Sequence, residues 1–175
     1  PIFLSLILTS FWIVGIMNSF NWMDGLDGLL AGAGIIFSLG LCFYNYIQGN
    51  IVGIILSFSL LGSLISFLFF NFKPAKIYMG DCGSNFIGFI ISVLTISSFS
   101  YSNNQFLLGI QSFSKTNLFV GMVFLSYPLF DMVSVIILRI KNNKSIFISD
   151  RNHFHHRLLR YGFNYNQVIL IIYAI

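Results

Sequence analysis

The sequence predicts an all-α fold, a polytopic bundle of transmembrane helices, on three observations. Hydrophobic residues make up 57% of the chain and charged residues only 8%, against roughly 25% charged in soluble domains. The mean hydropathy is +0.86. The apolar residues come in continuous runs near the roughly 20 helical residues that a hydrocarbon core demands, without the alternation of a barrel strand.

About five complete spans are expected, near 2–17, 26–47, 51–70, 84–101 and 118–138, with a sixth beginning at Asn166 and cut off at Ile175. Residues 1–175 read as a single integral-membrane domain. The start at Pro1 and the end inside an apolar run are expected to mark a fragment whose N-terminal spans are missing. The first run lacks the basic leader and small-residue cleavage site of a secretory signal.

Alternating the spans puts segments 18–25, 71–83 and 139–165 on one side of the bilayer. Lys73, Lys76, Arg139, Lys141, Lys144, Arg151, Arg157 and Arg160 fall there or at its boundary, and only Lys115 falls opposite. Basic residues accumulate on the cytoplasmic side, which orients the chain. Asp24, Asp27, Asp81, Asp150 and all three histidines lie on that face, and Asp131 sits in the half of its span that ends there. Cys42 in a span and Cys82 in a cytoplasmic loop do not read as a disulfide.

The first span, Ile2 to Met17, delivers the chain to Asn18-Ser19-Phe20-Asn21-Trp22-Met23-Asp24-Gly25-Leu26-Asp27-Gly28. Asn18, Asn21, Asp24 and Asp27 recur every third residue. On an α-helix that spacing spreads them over about half the circumference, and in a 3₁₀ turn it lines them up. Such groups at a membrane boundary must be paired, wetted or bound to a cation, so four oxygen-bearing side chains are expected to converge on one ligand.

The second span opens with small residues that permit close helix contact, and Gln48-Gly49-Asn50 turns it into the third. Pro74 then interrupts helix after Asn71, and Asp81 lies between Gly80 and Gly83, with Ser84 opening the fourth span. A carboxylate at a helix N-terminus is well placed for a metal-bound phosphate. The fifth span carries Tyr127-Pro128, an expected kink, and Asp131 one turn later. The last segment is the most charged, with Arg151, His153, His155, His156, Arg157 and Arg160.

Plainer readings compete. Asp131 reads equally as a helix–helix hydrogen-bond partner, and Asp81 alone as a turn residue. The basic run 139–144 reads as a stop-transfer anchor. His-x-His-His lacks cysteines and lies among arginines that would repel a dication, so anion binding is favoured over zinc. Together, hard oxygen ligands on two loops and a His/Arg loop on the same face describe a Mg²⁺-dependent phosphoryl transfer between a soluble and a lipid substrate.

Three motifs carry a resemblance. Asn-x-x-Asn-x-x-Asp-Gly-x-Asp-Gly at 18–28, Met-Gly-Asp-x-Gly-Ser at 79–84 and Asp-Arg-x-His-x-His-His-Arg-Leu at 150–158 resemble those of the polyprenyl-phosphate N-acetylhexosamine-1-phosphate transferases. This is the WecA/TagO/MraY-like group of glycosyltransferase family 4. The resemblance implies transfer of an N-acetylhexosamine 1-phosphate, GlcNAc-1-phosphate by the His-Phe-His-His form of the loop, from a UDP-sugar to undecaprenyl phosphate. UMP leaves, and the reaction is the first membrane step of a cell-surface glycan.

By motif position, the resemblance makes Asp24, Asp27 and Asp81 catalytic carboxylates and Asn21 and Asp81 metal ligands for Mg²⁺, with Mn²⁺ as the alternative ion. Asn18, Asn71, Tyr78, Arg151, His153, His155 and His156 become substrate-binding residues, with Tyr78 stacking on uracil and Asn71 a polar partner of the base. It places the enzyme in a bacterial inner membrane with its active face cytoplasmic. Its partners are the UDP-sugar, the lipid phosphate and the bilayer, without nucleic acid, and a homodimer is left open. The family also uses an aspartate pair in an earlier loop, and this chain has no Asp-Asp, so the fragment alone is expected to be inactive. The alternatives are a catalytically inactive membrane scaffold and a transporter with an intramembrane acidic site.

Overall fold

The computed structural model describes residues 2–100, 121–145 and 152–175, and the regular structure among them is helical throughout. In chain order the helices are α1 Ile2–Met23, α2 Leu29–Gln48, α3 Ile51–Asn71, α4 Gly80–Ser100, α5 Ser126–Lys141, α6 Phe154–Arg160 and α7 Tyr165–Ala174. Four of these are long and apolar enough to cross a membrane: Phe3–Met23, Leu29–Gln48, Ile51–Asn71 and Gly80–Phe99. The chain is a membrane protein. Large apolar side chains such as Phe3, Phe11, Phe43, Phe58, Phe69 and Phe130 point outward, as expected where the surrounding medium is lipid.

The interior is built from smaller and polar side chains packed around a few large ones. Ser38, Ser57, Ser84, Ser92 and Ser98 are buried with Ile16, Phe20, Leu30 and Ile91, a composition that lets helix backbones approach closely. α2 and α3 form a hairpin, α1 packs on α4 and α5, and α2 packs on α4 and α7. The hairpin turns at Gly49, which takes a left-handed φ of 69°, and at Asn50, whose side chain caps α3 by accepting from Gly53 N–H. Beneath that turn Asn45 donates to Ser98 Oγ at 2.7 Å and accepts from Asn50 Nδ2 at 2.8 Å, so the buried amides satisfy one another.

Three boundaries differ from the sequence expectation, and each has a local cause. α1 continues beyond Met17 to Met23, because Ser19, Phe20 and Met23 find buried positions against the bundle. α4 begins at Gly80 rather than at Ser84. Ser84 Oγ and Asn85 Nδ2 both bond back to Asp81 O, at 3.2 and 2.7 Å, which closes the first turn around the aspartate. α5 starts at Ser126 and runs to Lys141; of the earlier part of the span expected at 118–138, residues 121–124 are also helical, with a turn at Leu125 between, and 118–120 lie outside the described residues. Pro128 sits in the first turn of α5, where its missing N–H is tolerated, and the turn at Leu125 just before it interrupts the helix near the expected kink.

Candidate active site

One end of the bundle collects the polar ends of α1, α2, α3 and α4. Asn21, in the last turn of α1, donates to Asp81 Oδ1 at 3.1 Å and to Ser84 Oγ at 2.9 Å, joining the first motif to the second across the bundle. The segment 24–28 then turns into α2, with Gly28 at φ 80°, a conformation that a side chain disfavours. Gly28 N–H donates to Asn71 Oδ1 at 2.9 Å, and Asn71 Nδ2 donates to Ile77 O at 2.9 Å. Asn71 is therefore a buried brace between two turns. Asp27 is held by its side chain, which accepts from Ala75 N–H at 3.3 Å.

Asp24, Gly25, Leu26, Asp27, Asn71, Tyr78 and Met79 line an open cleft of about 260 Å³. The Tyr78 ring stands exposed at its edge, available for stacking against a planar ligand. Burial, followed by the negative charges of Asp81 and Asp27, pushes the Asp24 carboxyl up to about 6. The acidic side chains thus accumulate charge that their own surroundings do not offset.

The histidine segment docks on the same end. Asp131, buried on α5, accepts from Phe154 N–H at 2.7 Å and lies 2.9 Å from His153 Nδ1, so one carboxylate anchors both the first histidine and the start of α6. The Trp22 ring meets His153 edge-on at 5.7 Å, and the Arg139 guanidinium lies 4.8 Å from the Trp22 ring centroid. His153 and His155 stack nearly parallel at 5.8 Å, and His156 lies 4.3 Å from His155. His155 presses directly on Gly25, where a Cβ would fall 2.8 Å from its Cε1 and nearer still to Nε2.

His155 is almost wholly buried, yet both its ring nitrogens lack a hydrogen-bond partner among the described residues. Burial and the neighbouring His156 and His153 lower its pKa to about 4, against the pull of Asp131. It is therefore neutral at pH 7, carrying one N–H donor and one acceptor beside the turn that bears Asp24. A buried polar group without a partner is costly, of order 1–3 kcal/mol. Such a group marks where a ligand atom is expected to bond.

Of the residues singled out in the sequence, Asn21, Asp24, Asp27, Asn71, Tyr78, Asp81, His153, His155 and His156 are assembled at this end. Asn18 is not: its side chain is exposed and donates to Val14 O of its own helix at 2.8 Å. The convergence of four side chains is thus corrected to three, because α1 remains α-helical through that register and turns Asn18 away. Arg151 lies outside the described residues. Sequence reasoning left Asp131 undecided and passed over Trp22, Tyr165 and Tyr173. The Asp131 signal was present as a lone acid in an apolar run beside a histidine loop, and the absent side chain of Gly25 marks a place of close approach, which His155 makes.

The sequence profile of glycosyl transferase family 4 matches residues 1–99. The chain is 39% identical over 169 residues to a probable undecaprenyl-phosphate N-acetylglucosaminyl 1-phosphate transferase of Bacillus subtilis, covering 96% of this chain and 44% of the relative. It is 34% identical to the decaprenyl-phosphate N-acetylglucosaminephosphotransferase of Mycobacterium leprae, over 97% of this chain and 45% of the relative. To the undecaprenyl-phosphate alpha-N-acetylglucosaminyl 1-phosphate transferase of Escherichia coli K12 it is 27% identical, over 94% and 43%. The chain spans less than half the length of these curated relatives.

Proposed function

Since the chain belongs to glycosyl transferase family 4, we propose that its protein transfers N-acetylglucosamine 1-phosphate from UDP-GlcNAc to undecaprenyl phosphate. An oxygen of the lipid phosphate forms the new bond to the sugar-bearing phosphorus, the bond from that phosphorus to the bridging oxygen breaks, and UMP departs with the electron pair. The observation that carries this reading is the Asn21–Asp81 contact at 3.1 Å, which brings two loops distant in sequence to one acidic cleft.

The residues fit a hard dication. Asn21 and Asp81 supply oxygen donors, and the Asp24 carboxyl, raised first by burial and then by the charges of Asp81 and Asp27, stands where a cation would favour its ionised form. Among the described residues no group of three or more His, Cys, Asp or Glu is arranged to hold a metal alone. Mg²⁺, or Mn²⁺, would complete its shell with water and substrate phosphate. When bound, the ion supplies charge neutralisation at the diphosphate.

The chain's own groups do the rest. Tyr78 stacks on the uracil at the rim of the cleft, and Asn71 holds the turn beneath it. Asp24, with a pKa near that of a phosphate monoester, accepts the proton on the lipid side. His155 faces the same turn as a neutral hydrogen-bond partner, and His153 and His156 complete the anion-binding wall. Buried Ile16, Phe20, Leu30 and Ile91 fill the bundle beneath the site, which favours chemistry at one face over passage through it.

We assign that face to the cytoplasm of a bacterial inner membrane. Lys73, Lys76, Arg139, Lys141 and Lys144 lie at this end. α5 and α7 are the described parts of a fifth and a sixth crossing. The test incubates membranes carrying the whole protein with UDP-GlcNAc bearing a labelled sugar phosphate. Label in the lipid fraction with stoichiometric UMP is expected; no lipid-linked label from any UDP-N-acetylhexosamine refutes the reading.

A further inference from the structure

The last helix has no part in the transfer as described, yet α7 grips the acidic turn from behind. Tyr165 Oη donates to Asp27 O at 2.5 Å, and Tyr173 Oη donates to Gly28 O at 2.6 Å. The two tyrosines lie eight residues apart, within one stripe of the helix. Tyr173 reaches its carbonyl only because Gly32 has no side chain: a Cβ there would fall 2.8 Å from the Tyr173 Cε1. The Tyr165 ring is held in turn by Lys73, whose ammonium lies 3.8 Å above its centroid. At its N-terminus α7 is fixed by a reciprocal cap between Asn164 and Gln167.

The same segment reaches the turn twice. His155 on α6 packs against Gly25, and four residues with Gly162 at φ 93° connect α6 to the tyrosines of α7. Residues 25–28 are therefore bracketed, with an imidazole at one end and two phenols at the other. Gly28 N–H is meanwhile held by Asn71 and the Asp27 carboxylate by Ala75 N–H.

We propose that Tyr165 and Tyr173 are positioning residues that set the register between the histidine segment and the acidic turn, and so hold Asp24 and Asp27 at reacting distance. The catalytic consequence rests on the transferase reading; the clamp itself rests on the hydrogen bonds alone. A displacement of about 1 Å at a reacting group costs up to about a hundredfold in rate. Removing one phenol should therefore act on kcat and leave substrate affinity nearly unchanged.

Tyr165→Phe and Tyr173→Phe, each keeping its ring, are made in the whole protein in detergent, with two readouts. Amide hydrogen exchange is expected to rise about tenfold across residues 24–29 and to stay at the wild-type rate across the Asn45–Asn50 turn at the far end. The kcat per folded molecule is expected to fall about tenfold with KM within about twofold. Unchanged exchange at 24–29 overturns the clamp, whatever the activity. Faster exchange with unchanged kcat per folded molecule overturns the positioning role. A loss of activity explained wholly by a smaller folded fraction does the same. A wild-type protein inactive with every UDP-sugar removes the transferase reading, while the exchange data still decide the clamp.

Discussion

Gly25→Ala tests how the histidine segment meets the acidic turn. An added Cβ would stand 2.8 Å from His155 Cε1 and 3.2 Å from Cδ2, whereas ordinary carbon contacts begin near ~3.4 Å. The ring must retreat by at least about 0.6 Å, and by more at Nε2. It has little room, being wedged between His153 and His156 and almost fully buried. If His155 bonds the diphosphate as proposed, a shift approaching 1 Å there costs between about tenfold and about a hundredfold, or about 1.4–2.7 kcal/mol of transition-state stabilisation. Steady-state transfer by Gly25→Ala in the whole protein, referred to the folded fraction, measures this. In a His155→Ala background the same substitution is expected to have no further effect, because the obstructing ring is gone. An activity within threefold of wild type for Gly25→Ala, or an equal loss in both backgrounds, would refute the reasoning.

Asp81→Ala is expected to reduce transfer by more than about a thousandfold while leaving membrane insertion intact; it should also abolish any Mg²⁺-induced rise in Tm, and retained activity would remove Asp81 from the metal site. Asp131→Asn keeps one acceptor but loses the charge facing His153 and Phe154 N–H, a loss of about 1.5–3 kcal/mol in the docking of α6, read as lower Tm and raised proteolysis at 145–153. His155, lowered to about 4 from 6.5, binds its proton in the unfolded chain first, so its contribution to stability falls as pH drops from 6.5 toward 4. Asp24, raised from 3.8 to about 6, has the opposite slope in the range between those values. The wild-type Tm, measured without metal, should therefore fall relative to that of His155→Phe on acidification, and parallel curves would contradict the assignment.

The four helices long and apolar enough to cross a membrane were legible because length and hydropathy alone decide whether a segment can cross lipid, and α2 and α3 begin and end within a few residues of expectation. The meeting of the Asn21 and Asp81 motifs was legible too, since several polar groups at a bilayer boundary require a common partner. Boundaries set by side-chain closure were not legible. The bonds of Ser84 and Asn85 to Asp81 O belong to local geometry that hydropathy does not register. Asn18 turns away because α1 holds its α-helical register to Met23, a choice made by the burial of Phe20 and Met23 in the bundle. The tyrosine contacts of α7 were invisible for a different reason: phenols in an apolar run look like interface anchors until their partners' backbone is in place.

The span between the paired motifs also fixes a timetable for synthesis. Asn21 and Asp81 stand 60 residues apart, which a ribosome elongating at roughly 5–20 residues per second needs about 3–12 s to cover. Tyr173 reaches Gly28 only after 145 residues, or about 7–29 s at the same pace. During that interval the newborn turn of residues 24–28 has neither the Asp81 carboxylate that meets Asn21 nor the two phenols that later hold its carbonyls. A ribosome that stalls early therefore leaves an inserted hairpin whose turn is held only by the contacts made before α7 emerges.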